Sequence, residues 1–125
     1  MPTLANLVGS GCAPLQSRAS MGFPSVSLTA SGTTQVTALA LPTDFNVFST
    51  VAASSGAILP ATGFQVQTTD TIIVVNHGAN ALSVYPPLGG TIGVSAANTA
   101  FSVPSGKTAW FLVVGVNAYA ASVSA

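Results

Sequence analysis

Short runs of alternating apolar and polar residues recur along the chain, and this period of two predicts β-strands. The clearest example lies in residues 71–94, TIIVVNHGANALSVYPPLGGTIGV, where the β-branched run Ile72–Val75 is followed by the alternating run Leu82–Tyr85. Residues 76–80 between them are rich in Asn and Gly, which tolerate the left-handed backbone of a tight reversal. The pattern predicts a β-hairpin that ends at Pro86–Pro87, because proline cannot donate a backbone hydrogen bond.

Similar runs separated by Gly, Pro and Asn predict about eight to ten short strands, spaced roughly 8 to 12 residues apart. Helical signals are weak, since the alanine-rich pieces at residues 52–53 and 96–97 are too short for a stable helix. The sequence therefore predicts an all-β fold, either a small antiparallel β-sandwich or a β-tulip-like barrel. We expect its core to contain Val74, Leu82, Val84, Ile92, Phe101, Trp110 and Leu112.

The most apolar run, residues 108–114, does not alternate, because the residues on both of its faces are apolar. Such a strand is expected to be covered on two sides. In a mostly antiparallel protein, the second apolar face must meet another sheet or another subunit. The run therefore predicts self-association, and it places Phe111 and Val113 among the candidate interface residues.

Residues 1–24 differ from the rest, because Pro and Gly are frequent and little periodicity is present. Such a composition opposes the interiors of both helices and strands. We interpret this stretch as an extended N-terminal arm, with a disordered tail as the alternative, ahead of a single β-domain at residues 25–125. Arg18 and Phe23 are the candidate contact residues on the arm, and Arg18 is its only charge.

Charge is nearly absent from the 125-residue chain, whose four charged side chains are Arg18, Asp44, Asp70 and Lys107. An average protein of this length carries about 30. Two cations cannot displace the counterions of a nucleic acid or form a polybasic membrane patch, so neither partner is expected. Two interpretations remain for the surface: a neutral surface of hydroxyl and amide groups, or a surface that lies permanently against other subunits.

Residues able to carry catalysis are equally scarce. His77 is the only histidine and falls in a predicted turn, where an exposed loop position is expected. A triad of Asp70, His77 and a serine lacks the Gly-x-Ser-x-Gly elbow, and Asp44 with Asp70 as a glycosidase pair sits in turn contexts. Cys12 is alone, so no disulfide or cysteine-based zinc site is available within one chain. We predict no enzyme, no cofactor and no metal site.

Two aromatic positions leave alternatives open. Tyr85 precedes Pro86–Pro87, and an aromatic residue beside two prolines at the end of a sheet forms a rigid surface knob suited to an interface. Packing within the chain is the alternative for Tyr85. Trp110 fits either a core position in its apolar run or a platform on which a sugar stacks.

A longer pattern extends over residues 56–114. Its parts are VNHGANALSVYPP at residues 75–87, then Gly89–Gly90 with Ile92, Ala97–Asn98, Phe101 and Gly106–Lys107. This pattern resembles a segment of small virion proteins of tailed bacteriophages, and the charge-poor composition is similar to that of head decoration (cement) proteins. The resemblance implies a β-rich, often trimeric protein that binds the outside of the capsid lattice and has no catalytic residues. Tail and fibre modules share parts of the pattern.

These observations together predict a structural virion protein that decorates the capsid surface, stabilises the lattice and is made in the host cytoplasm. Its expected partners are the major capsid protein and other copies of itself, as a homotrimer. A tail- or fibre-associated module that binds a receptor or carbohydrate is the alternative. The candidate interface residues are Arg18, Phe23, Tyr85, Pro86, Pro87, Phe111 and Val113.

Overall fold

A computed structural model describes residues 24–62, 66 and 68–124 of the chain. These residues form strands and loops and contain no helix. The strands are β1 Pro24–Thr29, β2 Leu39–Ala40, β3 Phe45–Thr50, β4 Gly56–Ile58, β5 Thr71–Asn76, β6 Leu82–Tyr85, β7 Thr91–Ile92, β8 Phe101–Val103, β9 Thr108–Gly115 and β10 Ala118–Val123. The arm predicted at residues 1–24, including Arg18 and Phe23, lies outside the described residues except for Pro24, which begins β1.

The strands form two sheets packed as a small β-sandwich, which confirms the predicted fold class. The larger sheet has the order β1-β3-β5-β9-β10-β7, and the smaller sheet has the order β2-β4-β6-β8. The prediction that the sheets are antiparallel is wrong. The pairs β1–β3, β3–β5, β2–β4, β4–β6 and β7–β10 are parallel, and only β5–β9, β9–β10 and β6–β8 are antiparallel among the described strands.

The parallel pairs arise because the first six strands alternate between the two sheets. From β1 to β6 the chain crosses the sandwich after every strand, so that β1, β3 and β5 stack in one sheet and β2, β4 and β6 in the other. Parallel neighbours need a crossover connection, and the strands of the opposite sheet supply it. The hairpin predicted from residues 72–85 is therefore wrong, since β5 and β6 face each other across the core as an arch and share no ladder.

The arch between β5 and β6 is held by one buried side chain. The amide nitrogen of Asn76 donates to the carbonyls of Asn80 and Val103, both at 2.9 Å, while its carbonyl oxygen accepts from the Gly78 N–H at 2.9 Å. A Cβ atom at Gly78 would lie 2.6 Å from the side chain of Val51, which directly follows β3. Only glycine therefore lets this arch pack against the segment after β3. These contacts favour the arch over a hairpin.

The core fills the space between the sheets with side chains from alternate strand positions. Its buried apolar members include Phe48, Leu59, Ile72, Val74, Leu82, Val84, Ile92, Val103, Phe111, Val113 and Tyr119. Four predicted core residues are confirmed: Val74, Leu82, Val84 and Ile92. Phe101 is partly buried against this core, and its ring meets Phe111 edge to face at 5.6 Å between ring centroids.

The core prediction is wrong for Trp110 and Leu112, whose side chains are 40% and 41% exposed. Strand β9 instead turns Ala109, Phe111 and Val113 inward. Successive strand residues point to opposite faces, so a shift of one position exchanges the two sets. Because both sets in this run are apolar, its sequence does not distinguish the inward set from the outward one.

Candidate interaction surfaces

The residues predicted at an interface are mostly buried within the chain. Phe111 and Val113 are 0% and 1% exposed, so both are core residues, and their assignment to an interface was wrong for the same one-residue shift along β9. Pro86 and Pro87 are also buried, which contradicts the surface knob. Tyr85 is half-buried because its ring covers Gly56, where a Cβ atom would lie 2.9 Å from that ring.

A loop cluster next to Tyr85 does reach the surface. It combines the β1–β2 loop (residues 30–38), the β6–β7 loop (86–90) and the β7–β8 loop (93–100), and we call it the loop platform. The side-chain nitrogen of Gln35 donates to the carbonyl of Pro86 at 2.7 Å and to Oδ1 of Asn98 at 3.0 Å. The same oxygen accepts from the Gly89 N–H at 2.7 Å, so one hydrogen-bonded network joins the three loops.

The backbone of Asn98 completes this bracing. Its N–H donates to the carbonyl of Gly90 at 2.9 Å, and its φ angle is +64°, a conformation that Asn adopts more readily than most residues. The Tyr85 hydroxyl also donates to the carbonyl of Thr33 at 3.3 Å. The β6–β7 and β7–β8 loops are thereby tied to the β1–β2 loop, more than 50 residues earlier in the chain.

Each loop of the platform presents one apolar side chain to solvent. Val36, Leu88 and Val94 are 79%, 65% and 107% exposed, although each belongs to a residue type that is usually buried. A braced loop loses little conformational entropy when such a side chain is covered by a partner. This arrangement is suited to binding another macromolecule.

A second apolar surface is the solvent-facing side of the larger sheet, which we call the outer face. Its apolar residues are Phe45, Val47, Ile73, Val75, Trp110, Leu112 and Val114, and the polar residues Ser49, Thr71 and Thr108 of the same strands also face outward. None of these residues carries a charge. The strand register places Phe45 opposite Ile73, and Ile73 opposite Trp110, so these three side chains form one row across β3, β5 and β9. Trp110 lies on this surface and not in the core.

Among the described residues, charged side chains occur only beside the ends of strands in the larger sheet. Asp44 directly precedes β3 and Asp70 directly precedes β5, and these parallel strands begin at the same end of the sheet. Lys107 directly precedes β9, which runs antiparallel to β5 and begins at the opposite end. Two acidic residues therefore lie at one end of these strands and one basic residue lies at the other.

The two carboxylates also line one cleft of about 530 Å³, together with Leu41, Pro60 and Val66. Behind it, the Tyr119 hydroxyl donates to the Pro60 carbonyl at 2.6 Å. Burial raises the pKa of Tyr119 to about 12, and the negative charge of Asp70 acts in the same direction.

The expected exposure of His77 is confirmed, and the catalytic triad considered from the sequence is not assembled. Asp70 precedes β5 and His77 follows it, so the six residues of this strand hold the two side chains about 20 Å apart. Within the described residues, no group of three or more His, Cys, Asp or Glu side chains lies close enough to hold a metal ion. The same residues include no helix long and apolar enough to cross a membrane.

Comparison of this chain with protein-family models, with curated proteins and with solved structures finds no match in any of the three searches.

Proposed function

We propose that this protein is a non-enzymatic capsid decoration protein of a tailed bacteriophage. In this proposal it is made in the host cytoplasm, binds the major capsid protein on the outer surface of the head and stabilises the lattice. The observation that carries the proposal is the loop platform, where Val36, Leu88 and Val94 project from loops braced by Gln35 and Asn98. The resemblance of residues 56–114 to small virion proteins adds support.

Stabilisation of a capsid requires only selective binding. A protein that binds the assembled lattice and not its separated subunits shifts the equilibrium toward the lattice by mass action. The platform suits this task because its exposed apolar side chains and its amide and carbonyl groups can bind a partner surface without any chemical reaction. The homotrimer implied by the resemblance remains a prediction.

Co-sedimentation with capsids tests the proposal. The capsids are those of the phage that encodes the chain, purified without this protein, and bound chain is quantified against free chain. We expect Val36→Asp, Leu88→Asp and Val94→Asp each to weaken binding by about tenfold or more, because a carboxylate would be buried in the contact. Val116→Asp is the matched control, since Val116 is 89% exposed in the β9–β10 turn, outside the platform.

Salt dependence separates this contact from electrostatic docking. The three platform loops contain no charged residue, so raising the salt concentration should change the affinity little. Binding that disappears in high salt, or that all three platform variants leave unchanged, would contradict capsid binding through the platform.

A carbohydrate-binding module on a tail or fibre is the second candidate. The observation that favours it is the exposure of Trp110 on the solvent-facing side of the larger sheet, because sugars stack on exposed aromatic rings. A glycan array tests it with Trp110→Ala, and with Tyr85→Ala as a variant at the base of the platform. Specific glycan binding that only Trp110→Ala abolishes would favour this function over capsid decoration.

A further inference from the structure

We propose that the cleft between the two sheets is the docking site for the N-terminal segment of the same chain, residues 1–23, with the Arg18 guanidinium placed between the carboxylates of Asp44 and Asp70. The inference concerns a contact within one chain and is independent of capsid binding through the loop platform. It rests on the lining of the cleft, the position of Pro24 and the distribution of charge along the chain.

The lining of the cleft suits a side chain with an apolar stem and a cationic head. Leu41, Pro60 and Ile72 supply apolar walls. Asp44 and Asp70 add two carboxylates to the same space of about 530 Å³. Arginine lays its methylene stem along apolar surface, and its planar guanidinium carries five N–H donors, enough to contact two carboxylates at once. The cleft therefore favours arginine over an uncharged apolar side chain.

The described chain begins beside this cleft. Pro24, the first residue of β1, pairs with Phe45, and Phe45 pairs with Ile73 in turn. Asp44 directly precedes Phe45 in the sequence, and Asp70 lies three residues before Ile73. Two strand spacings of about 4.8 Å and three residues of about 3.3 Å place the backbone of Asp70 about 14 Å from Pro24. Residue 23 therefore joins β1 at the end of the sheet that holds both carboxylates.

The distance from Pro24 to the cleft matches the position of Arg18 in the sequence. Arg18 is six residues before Pro24, and six extended residues span about 20 Å. The connecting residues therefore reach Asp70, and Gly22 among them permits a reversal of the chain. So short a tether holds the guanidinium near the carboxylates at an effective concentration on the order of millimolar, so a second copy at micromolar concentration competes poorly.

The distribution of charge leaves Arg18 as the complementary group. Lys107 is the only cationic side chain in the part of the chain that the structure describes. It directly precedes β9, at the opposite end of the antiparallel pair β5–β9, about 20 Å from Asp70. Arg18 is the other cation of the sequence. Its docking balances charge at the acidic end of the strands.

Paramagnetic broadening of backbone amide NMR signals tests the inference on the full chain. A nitroxide is attached through Ala19→Cys, in a Cys12→Ser background that removes the only native cysteine. We expect strong broadening of the amides of Asp44 and Asp70, and little at Gly106, at the opposite end of the sheet. Unshifted amide signals away from the cleft establish that the labelled chain is folded.

Substitution of the cation separates docking from mere closeness along the chain. Arg18→Gln should lower the broadening at Asp44 and Asp70 by about threefold or more, because it removes the charge and keeps a polar side chain. High salt should act in the same direction, since it screens an accessible ion pair. Lys107→Gln is the matched control, and it should leave the broadening unchanged.

A charge exchange tests the pairing itself. Arg18→Asp should reduce the broadening at least as far as Arg18→Gln does, and adding Asp70→Arg should restore most of it. Restoration requires that the two positions meet, because neither change alone supplies a complementary pair.

Two results from a single labelled chain would overturn the inference: broadening that Arg18→Gln leaves unchanged, or equal broadening at both ends of the sheet. A mixture of nitroxide-labelled chain and isotope-enriched chain without the nitroxide reports contacts between copies. If Asp44 broadens as strongly in this mixture, the cleft takes the segment of a second copy, and docking within one chain is wrong. Capsid co-sedimentation is scored separately, so a docked segment in a chain that binds no capsid would overturn only the proposed function.

Discussion

The inner and outer faces of the larger sheet are both rich in apolar side chains, yet two asparagines in its central strands point inward. Asn46 and Asn76 are fully buried on the inner face of β3 and β5, whereas Val47 and Val75 lie on the outer face. Hydrophobicity alone would favour the opposite orientation. The difference shows that hydrogen bonds to the backbone, as well as apolar burial, select the face that becomes the core.

The buried asparagines satisfy backbone groups that would otherwise lack partners. The Asn46 amide donates to the carbonyl of Thr43 at 2.8 Å and to that of Ile73 at 3.3 Å, and so joins the start of β3 to β5. Asn76 performs the same role at the opposite end of β5, within the arch. Because each amide is hydrogen-bonded, its burial costs far less than burial of an unpaired amide.

The largest expected effect separates the two faces on a single strand. Phe111→Ala should lower the free energy of unfolding by about 3 to 5 kcal/mol, since it opens a cavity in the core. Trp110→Ala, one residue away, should lower the stability of the monomer by less than about 1 kcal/mol. Urea denaturation at low protein concentration measures both, and equal losses would show that the assignment of inner and outer faces is wrong.

The next effect concerns Asn76, one of the two buried asparagines of the inner face. Asn76→Ala should cost about 3 kcal/mol, because it removes the donor to the carbonyls of Asn80 and Val103 and the acceptor for the Gly78 N–H. Asn80→Ala is the control, since the Asn80 side chain lies at the surface and makes one hydrogen bond, to the Val51 carbonyl. If both variants lose the same stability, the Asn76 network is not the main support of the arch.

A smaller effect tests the packing of the β5–β6 arch against Val51, which follows β3. Gly78→Ala should cost about 1 to 3 kcal/mol, because the added methyl meets Val51 at 2.6 Å. Combining it with Val51→Ala should cost less than the sum of the two single losses, since the smaller side chain makes room. Gly115→Ala, whose added Cβ would lie 3.8 Å from Ala118, should change stability by less than about 0.5 kcal/mol. Strict additivity at Gly78 and Val51 would contradict the contact.

The smallest effect concerns the hydroxyl of Tyr119, whose contribution to stability changes at alkaline pH. The pKa of Tyr119 is raised from 10.0 to about 12, so the folded state favours the protonated hydroxyl. Its contribution to stability is fully present below pH 10 and is lost as the pH rises from 10 to about 12. Tyr119→Phe should flatten this part of the pH profile and cost about 1 kcal/mol at neutral pH, because the hydrogen bond to Pro60 is removed. An unchanged alkaline profile would contradict this assignment.

The sequence predicts most strands and the sandwich class, but it does not predict which strands pair. The β-branched run at residues 72–75 and the alternation at residues 82–85 suit a hairpin and an arch equally, because both turn one face of each strand toward the core. The deciding contacts join Asn76 to Val103 and Gly78 to Val51, and these lie about 27 residues apart in the chain. Periodicity within a single run carries no information about such distant partners.

The candidate surfaces were only partly predictable for the same reason. Tyr85, Pro86 and Pro87 drew attention to the correct region, yet the exposed residues there belong to loops joined by Gln35 and Asn98. The residue type of Asn98 is consistent with its turn conformation, since Asn tolerates a positive φ. Nothing near Gln35 in the sequence indicates its contact with Pro86, 51 residues away.

The strand order has a consequence for synthesis of the chain on the ribosome. Strands β1 to β6 emerge first and have local partners, but β5 pairs on its other edge with β9, which begins at residue 108. Until that residue leaves the exit tunnel, the nascent chain carries an open, β-branched edge at the centre of its larger sheet. Open edges of this kind recruit strands from other chains. We therefore expect truncations that end before residue 108 to aggregate, although strands β1 to β6 are all present.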